Sequence, residues 1–124
     1  DAQESRGLGD VYKRQVQGAL AGMVGVARQR KLKMRHKAHI WSMYVAPAFR
    51  GQGLGRLLMR AAIDHAAGMR GVRQVQLSVT ANNAAAFNLY AALGFEEYGH
   101  ECEALCVNGE LYDELLMALP LAGK

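Results

Sequence analysis

The pattern of apolar and polar positions predicts five strands in this chain. Small apolar and β-branched residues over 19–27, and a β-rich run over 38–45, predict the first two. Residues 74–80 alternate apolar with polar side chains, which is typical of a strand with one buried face. Two more β-like stretches, 95–107 and 111–119, flank an Asn-Gly pair, the sequence most typical of a tight hairpin turn.

Helical spacing replaces alternation in two places between these strands. The first predicted helix follows a glycine-rich loop and ends near Gly68. The second is short, is capped by Asn82 or Asn83, and ends at Gly94. The order strand, strand, helix, strand, helix, strand, strand predicts an α/β fold with a mixed sheet.

Residues 1–17 show no sustained period, and Gly7 and Gly9 interrupt the stretch. We predict no element there. We interpret 1–17 as a leader, either native or foreign to the protein, and 18–121 as the folded domain.

Composition narrows the class of protein. With 124 residues, 51% of them hydrophobic and 21% charged, the chain fits one globular domain. It has no apolar run long enough to span a membrane and no secretory start. Cys102 and Cys106 match neither a disulfide framework nor a zinc-binding spacing, so we expect no metal and a reducing, cytoplasmic location.

Charge is unevenly distributed along the chain. Residues 1–75 contain 14 basic and 4 acidic side chains, whereas residues 76–124 contain 1 and 7. The basic part suggests a polyanionic partner, either nucleic acid or a nucleotide cofactor. Its densest stretch, residues 28–37, is either a solvated sheet edge or a nucleic-acid contact, with Trp41 and Tyr44 as the stacking candidates nearby.

Glycines at 51, 53 and 55 alternate between a predicted strand and a predicted helix. Such a loop directs several backbone amides toward one point at a helix N-terminus, which is an anion site. The ATP-binding P-loop is excluded because Gly55 is followed by Arg56 rather than by Lys and Ser or Thr. The dinucleotide pattern is excluded because its third glycine would fall at Arg56.

A different pair of motifs fits. Arg50, Gly53 and Gly55 match the pattern Arg/Gln-x-x-Gly-x-Gly/Ala, and a second motif follows at the expected distance. Its members are Asn83, Ala86, Leu89 and Tyr90, followed by Gly94 and Phe95. In both motifs the chain resembles the GCN5-related N-acetyltransferase (GNAT) family.

The resemblance implies an acyl-CoA N-acyltransferase fold, a mixed central sheet with helices on both faces. Residues 1–17 are too few to supply the family's usual first strand and first two helices. We therefore expect either a partner subunit that holds the acceptor or an amino-terminally truncated copy that keeps the cofactor half. It also implies an enzyme that moves an acetyl group from acetyl-CoA to a primary amine by direct attack in a ternary complex, without a covalent enzyme intermediate.

The resemblance further implies where acetyl-CoA binds. Met43 and Val45 would offer backbone groups to the pantetheine arm, Asn83 would contact the cofactor near that arm, and Arg50 and Arg56 could add charge. The backbone amides that would hold the pyrophosphate belong to Gly51, Gln52, Gly53, Leu54, Gly55 and Arg56.

Tyr90 is the predicted general acid and a further predicted contact of the cofactor, because a phenol can protonate the departing thiolate of CoA; the alternative is a tyrosine that only packs in the core. No general base is assigned: His39 could serve, or Ser42, Ser78 and Thr80 could orient a water. Two other functions stay open, a CoA-binding fragment with little or no turnover and a nucleic-acid-binding domain. Homodimerisation is a further expectation from the family.

Overall fold

The computed structural model of the chain describes residues 2–5, 9–16 and 18–122. These residues form one sheet of seven strands with two α-helices and two short 3₁₀ turns, Leu32–Met34 and Pro47–Phe49. The strands are β1 Ala2–Ser5, β2 Gly9–Val16, β3 Ala19–Arg28, β4 Lys37–Val45, β5 Gln74–Thr80, β6 Glu96–Val107 and β7 Glu110–Pro120. The helices are α1 Leu54–Ala67 and α2 Ala84–Ala92.

The mixed sheet predicted from the sequence is confirmed. Its spatial order is β1-β2-β3-β4-β5-β7-β6, with β4 and β5 parallel and the other described neighbours antiparallel. The five strands predicted beyond residue 18 and both helices are present within a few residues of their expected bounds. Asn108 and Gly109 both have positive φ at the β6–β7 turn, as the hairpin prediction requires.

Strands β1 and β2 were not predicted, because residues 1–17 lack a hydrophobic period. Part of that leader lies outside the described residues, and its boundary at residue 17 stays a prediction. What holds β2 is its backbone ladder with β3 and a side-chain contact to α1. The Tyr12 hydroxyl lies 2.6 Å from Nδ1 of His65 on α1, a side-chain contact that links β2 to this helix.

Both described helices lie on one face of the sheet. The crossovers from β4 to β5 and from β5 to β6 step in the same direction, and right-handed crossovers of that kind place their helices on the same side. One hydrophobic cluster accordingly joins α1 residues such as Met59 to Tyr90 of α2 and Met117 of β7. The fold expected from the resemblance has helices on both faces of the sheet. Within the described residues, both α-helices lie on one face.

The opposite face of β4 and β5 is more polar, because alternate side chains of a strand point to opposite sides. Val75, Leu77 and Val79 are buried, whereas Ser78 is exposed and Gln76 is partly exposed. Among the helices described, neither is long and apolar enough to cross a membrane.

Candidate functional site

The parallel strands β4 and β5 separate after a short paired stretch. Their ladder ends at the pair His39 and Gln76, although β4 continues to Val45 and β5 to Thr80. Beyond that pair the backbone groups facing the gap have no neighbouring strand. The separation thus creates an opening in the middle of the sheet.

β4 contains a bulge just before Met43 and Val45, the two residues predicted to offer backbone groups to the cofactor. Ser42 has φ of 52°, and the register with β3 shifts between Met23 and Gly25, so β4 carries an extra residue there. The amide of Ala46 donates to Ala21 of β3, and backbone groups of successive strand residues alternate in direction. The backbone groups of Met43 and Val45 therefore face away from β3, into the gap.

The glycine loop presents a helix N-terminus with free donors. Gly53 is the N-cap of α1 and has φ of 80°, and Gly51 has φ of 78°. No side chain caps α1, and no acidic residue lies in its first turn. Within the described residues, the amides of 51–53 donate no backbone hydrogen bond, and the first amides of any helix lack intrahelical partners. The arrangement matches the predicted anion site.

Gly55 has a different role from the other two glycines. A Cβ at this position would lie 3.0 Å from Cε of Met43 and 3.3 Å from Cδ2 of Leu89. Because glycine has no Cβ, the first turn of α1 can approach both β4 and α2. Gly51 and Gly53 allow the left-handed backbone of the loop, whereas Gly55 allows close packing of α1 on its neighbours.

A cleft of about 670 Å³ lies between this loop, the end of β4 and the start of α2. This volume is within the range of small-molecule sites. It brings together ten of the eleven residues predicted to contact the cofactor: Met43, Val45, Arg50, Gly51, Gly53, Leu54, Gly55, Arg56, Asn83 and Tyr90. Gln52 does not line the cleft; its side chain turns back to donate to the carbonyl of Ala48, at 3.4 Å.

Arg50 is engaged within the protein. Its Nε donates to the carbonyl oxygen of Val45 at 3.1 Å. This bond fixes the turn that links β4 to the loop and occupies one of the two backbone groups that Val45 directs at the gap. Arg50 therefore has a structural contact beside the charge that it brings to the cleft.

Asn83, rather than Asn82, caps α2. Its Oδ1 accepts from the amide of Ala86 at 3.1 Å. The cap uses only the oxygen, so the Nδ2 donor of Asn83 is not spent on it. The side chain also lines the cleft, and capping and ligand contact are compatible at this residue.

Tyr90 forms part of the wall of two cavities. One is the cleft, and the other is a space of about 240 Å³ between the separated strands, the gap cavity, which is also lined by Ser42, Ser78 and Thr80. The ring packs edge-on against Phe95, at 6.1 Å between centroids. Burial raises the pKa of the Tyr90 phenol, so at neutral pH it is a neutral hydrogen-bond donor.

On the face away from the helices, a third cavity of about 450 Å³ adjoins the gap cavity and shares Ser42 and Ser78 with it. We call it the open-face cavity. His39 lines it, and the Nδ1 atom of His39 is buried without a hydrogen-bond partner. Burial lowers the pKa of His39, which keeps the imidazole neutral and able to accept a proton.

Sequence reasoning missed several residues of these walls. Tyr44, Phe49 and Ala85 line the cleft, and Glu114 lines the open-face cavity. Glu114 stands opposite Thr80 in the ladder of β5 with β7. A motif search along the chain could not find Glu114, because only strand pairing brings this carboxylate to the cavity that His39 also lines.

Comparison with known proteins points in one direction. The family model described as the Acetyltransferase (GNAT) family matches residues 2–95. The ribosomal protein bS18-alanine N-acetyltransferase of Escherichia coli is 37% identical over 86 residues, which cover 69% of this chain and 57% of that protein. The chain thus spans somewhat more than half the length of this relative.

Solved structures agree with the sequence match. The ribosomal-protein-alanine N-acetyltransferase of Brucella melitensis superposes with a TM-score of 0.81 at 31% identity, covering 90% of this chain and 68% of that one. An acetyltransferase-like protein of Salmonella typhimurium, solved with acetyl-CoA, gives 0.82 at 28% identity, covering 93% and 66%. The GNAT-type fold expected from the two motifs is confirmed, and the chain belongs to the GNAT acetyltransferase family.

Proposed function

We propose that this protein is an N-acetyltransferase that transfers an acetyl group from acetyl-CoA to a primary amine by direct attack in a ternary complex. The observation that supports it most is the single opening where β4 and β5 separate. There the amide-rich loop, the outward-facing backbone of β4 and Tyr90 meet around one cleft. The named relatives and the Salmonella typhimurium complex with acetyl-CoA add independent support.

The residues present fit acetyl-CoA. In the proposal, the amides of 51–56 bind the diphosphate, helped by the positive end of the α1 dipole. Met43 and Val45 hydrogen-bond the pantetheine arm as a neighbouring strand would, with the Val45 carbonyl shared with Arg50. Arg56 adds positive charge beside the loop. Gln52 contributes only its backbone amide, since its side chain faces Ala48.

When bound, acetyl-CoA supplies a thioester whose carbonyl carbon accepts the amine. The C–N bond forms, the C–S bond breaks, the amine loses a proton and the sulfur gains one. Tyr90 donates to the departing sulfur, because its raised pKa keeps the phenol protonated. Since no step uses a thiol of the protein, Cys102 and Cys106 are not needed.

The acceptor side of the proposal is the open-face cavity. An amine entering there meets Ser42 and Ser78 before it reaches the gap cavity beside Tyr90. The proton acceptor remains open between His39, a water held by Ser42, Ser78 or Thr80, and Glu114, which the structure adds. A protein α-amine is the first acceptor to test, because two of the relatives are named for alanine in a ribosomal protein.

The test is thiol release from acetyl-CoA with a short peptide that begins with alanine. The control is the same peptide with a blocked N-terminus. Release that depends on the free α-amine supports the proposal. Saturable CoA binding with no release from any amine in a panel would favour the binding fragment. Steeply salt-dependent affinity for RNA or DNA without CoA binding would favour the nucleic-acid alternative.

A cytoplasmic location is part of the proposal, since both cysteines are free and exposed. Homodimerisation also stays a prediction. Sedimentation of the purified chain at several concentrations would test it.

A further inference from the structure

The β6–β7 hairpin carries a cluster of metal-binding side chains that the mechanism does not use. His100 and Cys102 lie two residues apart on β6, and Asp113 lies on β7. Their ligand atoms are all within 4.8 Å of one another. None of the three lines the cleft, the gap cavity or the open-face cavity.

Two hydrogen bonds hold the carboxylate of Asp113 in place. Its Oδ1 accepts from the amide of Glu103 at 2.8 Å, and its Oδ2 lies 2.8 Å from Nε2 of His100. These contacts alone could be explained as a clamp on the bulge between Glu101 and Leu105. They do not explain why a thiol stands in the same group.

The surroundings favour a cation. Residues 96–121 include seven acidic side chains and no Lys or Arg, so no ammonium or guanidinium of the hairpin competes for the carboxylate. A carboxylate within a few ångströms of a dication interacts with it favourably even near a surface. The negative part of the chain identified from the sequence is thus concentrated where the cluster lies.

The donor set points to a particular class of metal. Imidazole nitrogen, thiolate sulfur and carboxylate oxygen are the three ligand types of Zn²⁺, at about 2.0–2.3 Å from the ion. A tetrahedral site requires ligand atoms about 3.3–3.8 Å apart, so only small side-chain shifts separate the present geometry from coordination. Mg²⁺ and Ca²⁺ prefer oxygen ligands alone.

We propose that His100, Cys102 and Asp113 form a surface site for Zn²⁺ or a similar borderline metal, with water as the fourth ligand. This departs from the expectation of no metal, which was drawn from the spacing of the cysteines and the lack of a paired histidine spacing nearby. The amide of Glu103 orients the carboxylate, the role that outer hydrogen bonds have in zinc sites. Binding converts the thiol to the thiolate and releases its proton to the buffer.

The test is a calorimetric titration of the purified chain with Zn²⁺, repeated with excess Mg²⁺. We expect saturable binding of a single ion at micromolar concentrations, without competition from Mg²⁺. Cys102→Ser and His100→Gln should each weaken it by at least about ten-fold. Cys106→Ser is the matched control, because Cys106 is also exposed, lies on the same strand and is outside the cluster; it should leave the affinity unchanged.

No saturable Zn²⁺ binding by the folded chain would overturn the proposal, as would equal weakening in Cys106→Ser and Cys102→Ser. A second readout needs no variant. Zn²⁺ should slow alkylation of Cys102, measured by mass spectrometry of its peptide, and leave Cys106 reacting as before. Equal protection of both cysteines, or of neither, would contradict the site.

Discussion

Tyr90 is the residue on which the proposed chemistry depends most. It is 7% exposed, stands between the cleft and the gap cavity, and stays a neutral donor because burial raises the pKa of its phenol. Tyr90→Phe should lower kcat by about 10²- to 10⁴-fold and leave the Kd for CoA unchanged. Steady-state kinetics and calorimetry on the same preparation measure both.

Tyr44→Phe is the control for that experiment. Tyr44 also lines the cleft, but it does not border the gap cavity. Its loss of a hydroxyl should leave kcat unchanged. An unaltered kcat in Tyr90→Phe would assign the residue to core packing instead.

For His39 we predict an effect on the pH dependence of the free energy of unfolding rather than on the reaction rate. Burial lowers the pKa of its imidazole, whereas the unfolded chain titrates near the usual value of about 6.5. The unfolded state therefore binds more protons, and the free energy of unfolding falls as the pH drops from about 6.5 through the lower folded pKa. Urea unfolding at several pH values should show a shallower decline over this range in His39→Gln. The same slope in both proteins would mean that His39 is not the group responsible.

At the scale of elements, one glycine in the loop and one outside the cleft allow the effect of backbone strain to be distinguished from an effect on ligand binding. Gly53 and Gly71 have φ of 80° and 85°, and at both positions an added Cβ would meet nothing within 4 Å. Alanine at either should cost about 1 kcal/mol of unfolding free energy, because left-handed backbone is unfavourable for residues with a Cβ. Only Gly53→Ala should also weaken CoA binding, since Gly71 lies outside the cleft.

Denaturant unfolding and CoA titration of the two variants provide the comparison. Equal loss of CoA affinity in both would mean that the loop acts only through general stability. Retained affinity in Gly53→Ala would remove the loop amides from the account.

The elements also show how far a sequence can be interpreted. Periodicity and turn residues were sufficient for β3–β7 and both helices, because each carries a local signal: alternation, helical spacing, an Asn-Gly turn. Strands β1 and β2 carry no such signal. Their place in the sheet depends on backbone pairing, of β1 with β2 and of β2 with β3. The bulge at Ser42 was equally hidden, because it exists only as a register shift against another strand.

The candidate site divides in the same way. The residues proposed to bind the cofactor could be located in advance because they lie in or beside two motifs, whereas Glu114 and the grouping of His100 with Asp113 depend on pairing between distant strands. Gln52 shows the opposite limit. Its place in the loop was predicted correctly, but its side chain was free to choose a local partner, the carbonyl of Ala48.

For the whole molecule, the proposed reaction requires an opening through the sheet, with CoA on one side and the amine on the other. Ser78 borders both the gap cavity and the open-face cavity. Ser78→Phe should raise the KM for the amine and lower turnover, with the Kd for CoA unchanged. Gln74→Phe is the matched control, because Gln74 lies on the same face of β5 and lines none of the three cavities. If Ser78→Phe leaves the KM unchanged, the amine enters elsewhere.

The most direct measurement is a calorimetric comparison of CoA with pantetheine, which lacks the nucleotide and the diphosphate. If the amides of residues 51–56 hold the diphosphate, CoA should bind saturably and pantetheine should bind at least about ten-fold more weakly, because charge-assisted hydrogen bonds are among the strongest in such a site. Equal affinity for the two, or no heat with CoA from well-folded protein, would contradict the account.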